Sequence, residues 1–141
     1  MRICIVGPVV NTKSFGGVAT FDEGLADAFT VLGDEAILIT DFAEKEMTSG
    51  GTPIIHFYEH PARKNPVLPF KMEKYIFKQG FDLVISSLEY GLVNLLLKTK
   101  RYDGQIMYYL HGYATCQYRW YHMLALVIVQ KMIRGYSDYF I

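Results

Sequence analysis

The residues best placed to do chemistry lie in a glycine-rich connection, Gly7-Pro8-Val9-Val10-Asn11-Thr12-Lys13-Ser14-Phe15-Gly16-Gly17, between an apolar run and an amphipathic segment. Gly16 and Gly17 carry no side chain, so the backbone there can come close to a ligand. The free N–H groups of the helical turn that follows, with the positive end of its dipole, favour an anion, and a diphosphate is the natural guest. The same doublet also serves as a plain turn from sheet to helix. Gly-x-Gly-x-x-Gly is absent, so Asp41 gives little support for a nicotinamide dinucleotide. Gly-x-x-x-x-Gly-Lys-Ser/Thr is absent too, which leaves no P-loop lysine for a nucleoside triphosphatase.

Positioning that loop requires an α/β frame. Apolar runs at Arg2–Val6, Ala36–Thr40, Pro53–Tyr58, Leu83–Ser86, Gln105–Leu110 and a stub at Asp138–Ile141 alternate with helix-length segments. This rhythm predicts a three-layer α/β/α domain with a mainly parallel sheet of about six strands. Several strands lack alternation, as expected when both faces are covered. In the first helix Val18, Phe21, Leu25, Ala28, Phe29 and Leu32 share a face, and Gly33 supplies the stop. Ser86-Ser87-Leu88-Glu89 reads as a capping box opening another helix, with Leu92, Val93, Leu95 and Leu96 as its buried wall. Further helices are expected over Val67–Gln79 and about Cys116–Arg134, the latter ended by Gly135. A chain of 141 residues is long enough to bury one core without disulfides or a structural metal.

Four stretches, in order along the whole chain, resemble family 4 retaining glycosyltransferases of the GT-B fold. They are Arg2-Ile3-Cys4-Ile5-Val6-Gly7-Pro8 with Gly16-Gly17-Val18-Ala19, Asp82-Leu83-Val84-Ile85-Ser86-Ser87, Tyr109-Leu110-His111-Gly112, and Tyr136-Ser137-Asp138-Tyr139-Phe140-Ile141. The resemblance implies a Rossmann-like, acceptor-side N-terminal domain. The donor-binding C-terminal domain, which carries the acidic pair and basic residues that grip the nucleotide, has no counterpart among these residues. It implies that Gly16 and Gly17 approach the diphosphate of a nucleotide-sugar donor, that His111 contacts the donor sugar as the catalytic histidine, and that Gly112 allows close approach. Ser87, Glu89 and Tyr113 then border the acceptor, although Glu89 is equally a helix-capping residue and His111 equally a strand cap. Transfer to a glycan or lipid-linked acceptor, in polysaccharide or glycolipid assembly, is implied to proceed without a cofactor or bound metal. The chain ends as a new strand opens, which suggests a fragment that is inactive alone. A stand-alone nucleotide-binding or interaction module is the competing reading.

Lys and Arg balance Asp and Glu at 14 each, which argues against nonspecific nucleic-acid binding. Cys4 and Cys116 lack metal-ligand or disulfide-framework spacing, and no signal peptide opens the chain, so a reducing, cytoplasmic setting is expected. The longest apolar run, Met123–Val129, is far short of the roughly 20 residues that span a bilayer. Peripheral contact at the inner face of the plasma membrane stays open. Lys71, Lys74 and Lys78 share a helical face, with Arg63 and Lys64 upstream and Phe70, Met72, Ile76 and Phe77 on the other side. A helix covering a sheet would show the same two faces. His56 reads as a packed or edge residue, and His60 and His122 have no evident partners.

Overall fold

The computed structural model describes residues 1–12, 16–61, 65–87, 90–109, 131 and 138–140. Strand β1 (Arg2–Val6) is central because it is apolar on both sides: Ile3 and Ile5 point into one cluster, Cys4 and Val6 into another, and all four are at most 1% exposed. Neighbouring strands β2 (Glu35–Thr40) and β4 (Leu83–Ser87) divide their side chains the same way, with Leu38 and Ile85 on one face, Ile39 and Val84 on the other. With β3 (Ile54–His56), β5 (Gln105–Tyr109) and the short β6 (Tyr139–Phe140), they form a parallel sheet in the order β3-β2-β1-β4-β5-β6. That order is the Rossmann arrangement, whose switch point lies between β1 and β4.

Helix α1 (Gly17–Val31) covers one face, and α2 (Leu68–Gln79) with α3 (Gly91–Thr99) cover the other, giving three layers as expected. Gly33 takes a left-handed φ of 90° just past α1, the conformation a helix stop favours in glycine. No helix separates β2 from β3. The connection is instead tied back to α1 by Asp27, whose carboxylate accepts hydrogen bonds from Thr48, Thr52 and the Gly50 amide. Burial opposes ionisation there, but these donors outweigh it and hold the Asp27 carboxyl below its usual range.

The faces of α1 and α2 differ from the periodicity reading, as does that of α3. On α1 the buried residues are Ala19, Asp22, Glu23 and Ala26, a stripe rolled away from the apolar one; Phe21 and Leu32 are 37% and 77% exposed. The inward acids answer polar groups at the strand ends, which an apolar count does not see. On α2, Met72, Glu73 and Ile76 are buried, while Phe70 and Phe77 lie outside with the lysines. Glu73, 2% exposed, is neutralised by Lys100 at 2.8 Å. Lys100→Ala strands that carboxylate, and a loss of about 1–2 kcal/mol in urea unfolding is expected, less than for a fully buried pair because the ammonium is half exposed. The long helix expected over Cys116–Arg134 lies outside the described residues, apart from helical Lys131.

Candidate functional site

The carboxyl edge of the sheet gathers the loop residues. Gly7 directly follows β1, and its N–H donates to the Ile39 carbonyl at 3.0 Å, so the backbone leaves the sheet in a fixed direction. A Cβ on Gly7 would stand 2.0 Å from Asp22 Oδ2 and 2.9 Å from Ser87 Oγ. Glycine is therefore required here by a close approach, one that the sequence did not single out.

Beyond Gly7 the loop is laced on both sides. The Val10 amide donates to Glu23 at 2.7 Å, and Lys45 pairs with the other oxygen of that carboxylate at 2.8 Å. Asn11 accepts from the Glu44 amide at 3.0 Å, and the Thr12 amide donates to the Glu44 side chain at 2.7 Å. These bonds join the β1 and β2 loops into one wall of a cleft of about 400 Å³, lined by Pro8, Val9, Asn11, Asp41, Phe42 and Tyr90 among others.

At the start of α1, Gly16 is extended (φ −149°, ψ 145°) and the helix has no side-chain cap. Neither glycine of the doublet has a positive φ, and a Cβ on either meets no described atom within 4 Å. The doublet is thus kept open, not strained. One turn on, Phe21 stacks on Tyr109 with ring centroids 4.8 Å apart, and Ser87 Oγ donates to Asp22 at 2.8 Å. Ser87 and Tyr109 are themselves register partners at the ends of β4 and β5. Adjacent residues of α1 therefore grip adjacent strand ends, and the helix that begins at the doublet is brought to the strand that leads into His111.

The Asp22–Ser87 pair is interior: the residues are 3% and 2% exposed. Burial pushes the Asp22 carboxyl up to about 7, against the pull of the Ser87 hydrogen bond. The capping box expected at Ser86 is not formed, because Ser86 and Ser87 are the last two residues of β4, both buried, and the Ser87 hydroxyl serves Asp22. Helix α3 begins later, with Tyr90 at its N-cap and no side-chain cap. Its buried residues include Val93, Asn94 and Leu97, while Leu92 is 38% exposed. Of the expected site residues, Gly16 and Gly17 flank open space at one end of this edge and Ser87 lies beneath it. His111, Gly112, Tyr113 and Glu89 lie outside the described residues.

A second cleft, of about 710 Å³, opens between α2 and α3. Its walls are mostly apolar, from Leu68, Phe70, Met72, Leu92, Val93 and Leu96, and it meets the first cleft at Asp41 and Tyr90. The Tyr90 hydroxyl donates to Asp41 Oδ1 at 3.1 Å, so this pair forms the polar partition between the two spaces. Asp41 stands just past β2, as the sequence placed it, and Tyr90, 49 residues away, becomes its neighbour only through the fold. Asp22 and Glu23 interrupt the apolar pattern of α1, and nothing in their local sequence marks them as buried. Half-buried His56 bonds through Nδ1 to the Tyr58 carbonyl at 3.0 Å on edge strand β3. Among the described residues no cluster of His, Cys, Asp and Glu could hold a metal ion. The Cys4 thiol is pushed well up by burial and is inert.

No family model matches the chain, and no curated protein matches it in sequence. Among solved structures it is similar to a sucrose-phosphate synthase from Thermosynechococcus elongatus, with a TM-score of 0.74 and 17% identity. The match covers 99% of this chain and 42% of that one, so the chain spans well under half of its neighbour's length. At this identity the likeness is one of architecture: the chain is a Rossmann-like α/β domain whose fold recurs within a sucrose-phosphate synthase.

Proposed function

We infer that this chain is the acceptor-side, N-terminal domain of a retaining glycosyltransferase of the GT-B fold. It would serve transfer of a sugar from a nucleotide-diphosphate sugar to a glycan or lipid-linked acceptor, in cytoplasmic polysaccharide or glycolipid synthesis. The observation that carries this reading is the Phe21–Tyr109 stack, which sets the uncapped start of α1 beside the strand leading to His111. The similarity of fold to an enzyme named for making a sugar phosphate points the same way.

In this reading the bare amides of Gly17 and its neighbours face the diphosphate, where fixed dipoles stabilise the charge that develops as the glycosidic bond breaks. The doublet carries no side chains, so the phosphates can come within hydrogen-bonding distance of the backbone. His111, as a neutral imidazole, holds a hydroxyl of the donor sugar, and Gly112 leaves it room. The acceptor approaches across Asp41 and Tyr90, with Glu89 and Tyr113 as further acceptor-side residues. The donor nucleotide is gripped by a second domain, so this chain alone is expected to be inactive.

The test is a transfer assay on the full-length protein with a panel of nucleotide sugars. Gly16→Ala with Gly17→Ala, and separately His111→Ala, are each expected to lower kcat/KM by about a hundredfold, the scale of one lost electrostatic contact. The glycine variants meet open space, so their unfolding midpoints should be unchanged. Turnover at the parent rate in both variants would remove the assignment.

A further inference from the structure

The outer face of α2 is not what an ordinary sheet-covering helix presents. Val67, Phe70 and Phe77 are 52%, 57% and 45% exposed, and exposed Lys71, Lys74 and Lys78 share their side of the helix. At 100° per residue these six positions fall within an arc of about 120°. The lysines occupy the crest and the two phenyl rings the flank nearer Glu73. The segment's one acid, Glu73, is turned inward onto Lys100, so nothing on this face of the helix offsets the lysines. Lys71 lies over the Tyr58 ring at 5.1 Å, and Lys74 and Lys78 make no ion pair among the described residues. Phe70 and half-exposed Leu92 of α3 also line the apolar cleft, so the greasy flank continues into the space that ends at Asp41.

We propose that this face docks on an anionic lipid surface. Phenyl rings beside lysines in one plane suit the headgroup layer, where the rings reach the acyl boundary and the ammonium groups reach lipid phosphates. A protein partner fits less well, because lysine is depleted from protein–protein interfaces. Docking in this orientation brings the rim of the α2–α3 cleft to the bilayer. The proposal is independent of the sugar-transfer reading and holds or fails without it.

The test is cosedimentation of the intact chain with phosphatidylcholine vesicles, with and without phosphatidylglycerol, at low and high salt. Binding is expected only to phosphatidylglycerol vesicles and is lost at high salt, since screening weakens exposed charges. Neutralising the crest with Lys71→Gln, Lys74→Gln and Lys78→Gln should weaken binding about fivefold per lysine, on the order of a hundredfold together. Phe70→Ser with Phe77→Ser should weaken it further. The salt series needs no variant and stands even if a variant folds poorly. The proposal is overturned if the chain stays in solution with anionic vesicles at low salt, if the lysine variant binds as the parent does, or if the chain pellets without vesicles because a second copy covers the face.

Discussion

Gly7→Ala is expected to destabilise the domain by about 3 kcal/mol, read as a lowered urea midpoint at unchanged slope. The added Cβ would lie 2.0 Å from Asp22 Oδ2 and 2.9 Å from Asp22 Cγ, a distance no packed pair tolerates. The carboxyl cannot swing into water, because it is 3% exposed and held by Ser87. Relief therefore requires α1 to move off the sheet or the Asp22–Ser87 bond to break, which adds the cost of stranding buried polar groups to that of overpacking. Asp22→Ala in the same chain removes the obstructing atoms, so the double variant should be less destabilised than the sum of the singles. Additive losses would show that the clash is not with Asp22. The contrast with Gly16 and Gly17, where a Cβ meets no described atom within 4 Å, separates a glycine needed for folding from two that packing does not require.

Asp22→Asn should stabilise the domain by roughly 4 kcal/mol at pH 8 and flatten its pH dependence. Burial raises the Asp22 carboxyl from 3.8 to about 7. Between those values the folded chain keeps a proton that the unfolded chain has released. Raising the pH through that interval therefore costs stability, at about 1.4 kcal/mol per unit, and the loss is complete above about pH 7. Below 3.8 both states are protonated and this group contributes no slope. Asparagine has the same shape, still accepts from Ser87 and does not titrate. Denaturant unfolding of parent and variant across pH 4 to 8 should show curves that converge at the acid end and part towards neutrality. Parallel curves would mean that Asp22 stays ionised in the fold.

Much of this protein is written locally. The apolar runs place all six strands within a residue or two of their limits. The Gly-Gly-Val start and Gly33 stop bracket α1, and strands apolar on both faces announce a covered parallel sheet. These features follow from dihedral preferences and from which residues leave water, and both act over a few neighbours. The roll of each helix was not local. Periodicity shows that a helix has two faces, but α1 turns Asp22 and Glu23 inward because a hydroxyl 65 residues away and a loop amide 13 residues back need partners there. In the same way α2 could bury Glu73 only because Lys100 waits just past the end of α3, and that left Phe70 and Phe77 outside. The Tyr90–Asp41 partition joins residues 49 apart. Sequence alone determined the strands, the spans of α1 and α2 and the side-chain-free doublet, because backbone conformation and apolar burial are set residue by residue. Tertiary structure decided which polar groups meet beneath and beside that doublet, because a buried hydrogen bond exists only once both partners have been carried to the same place.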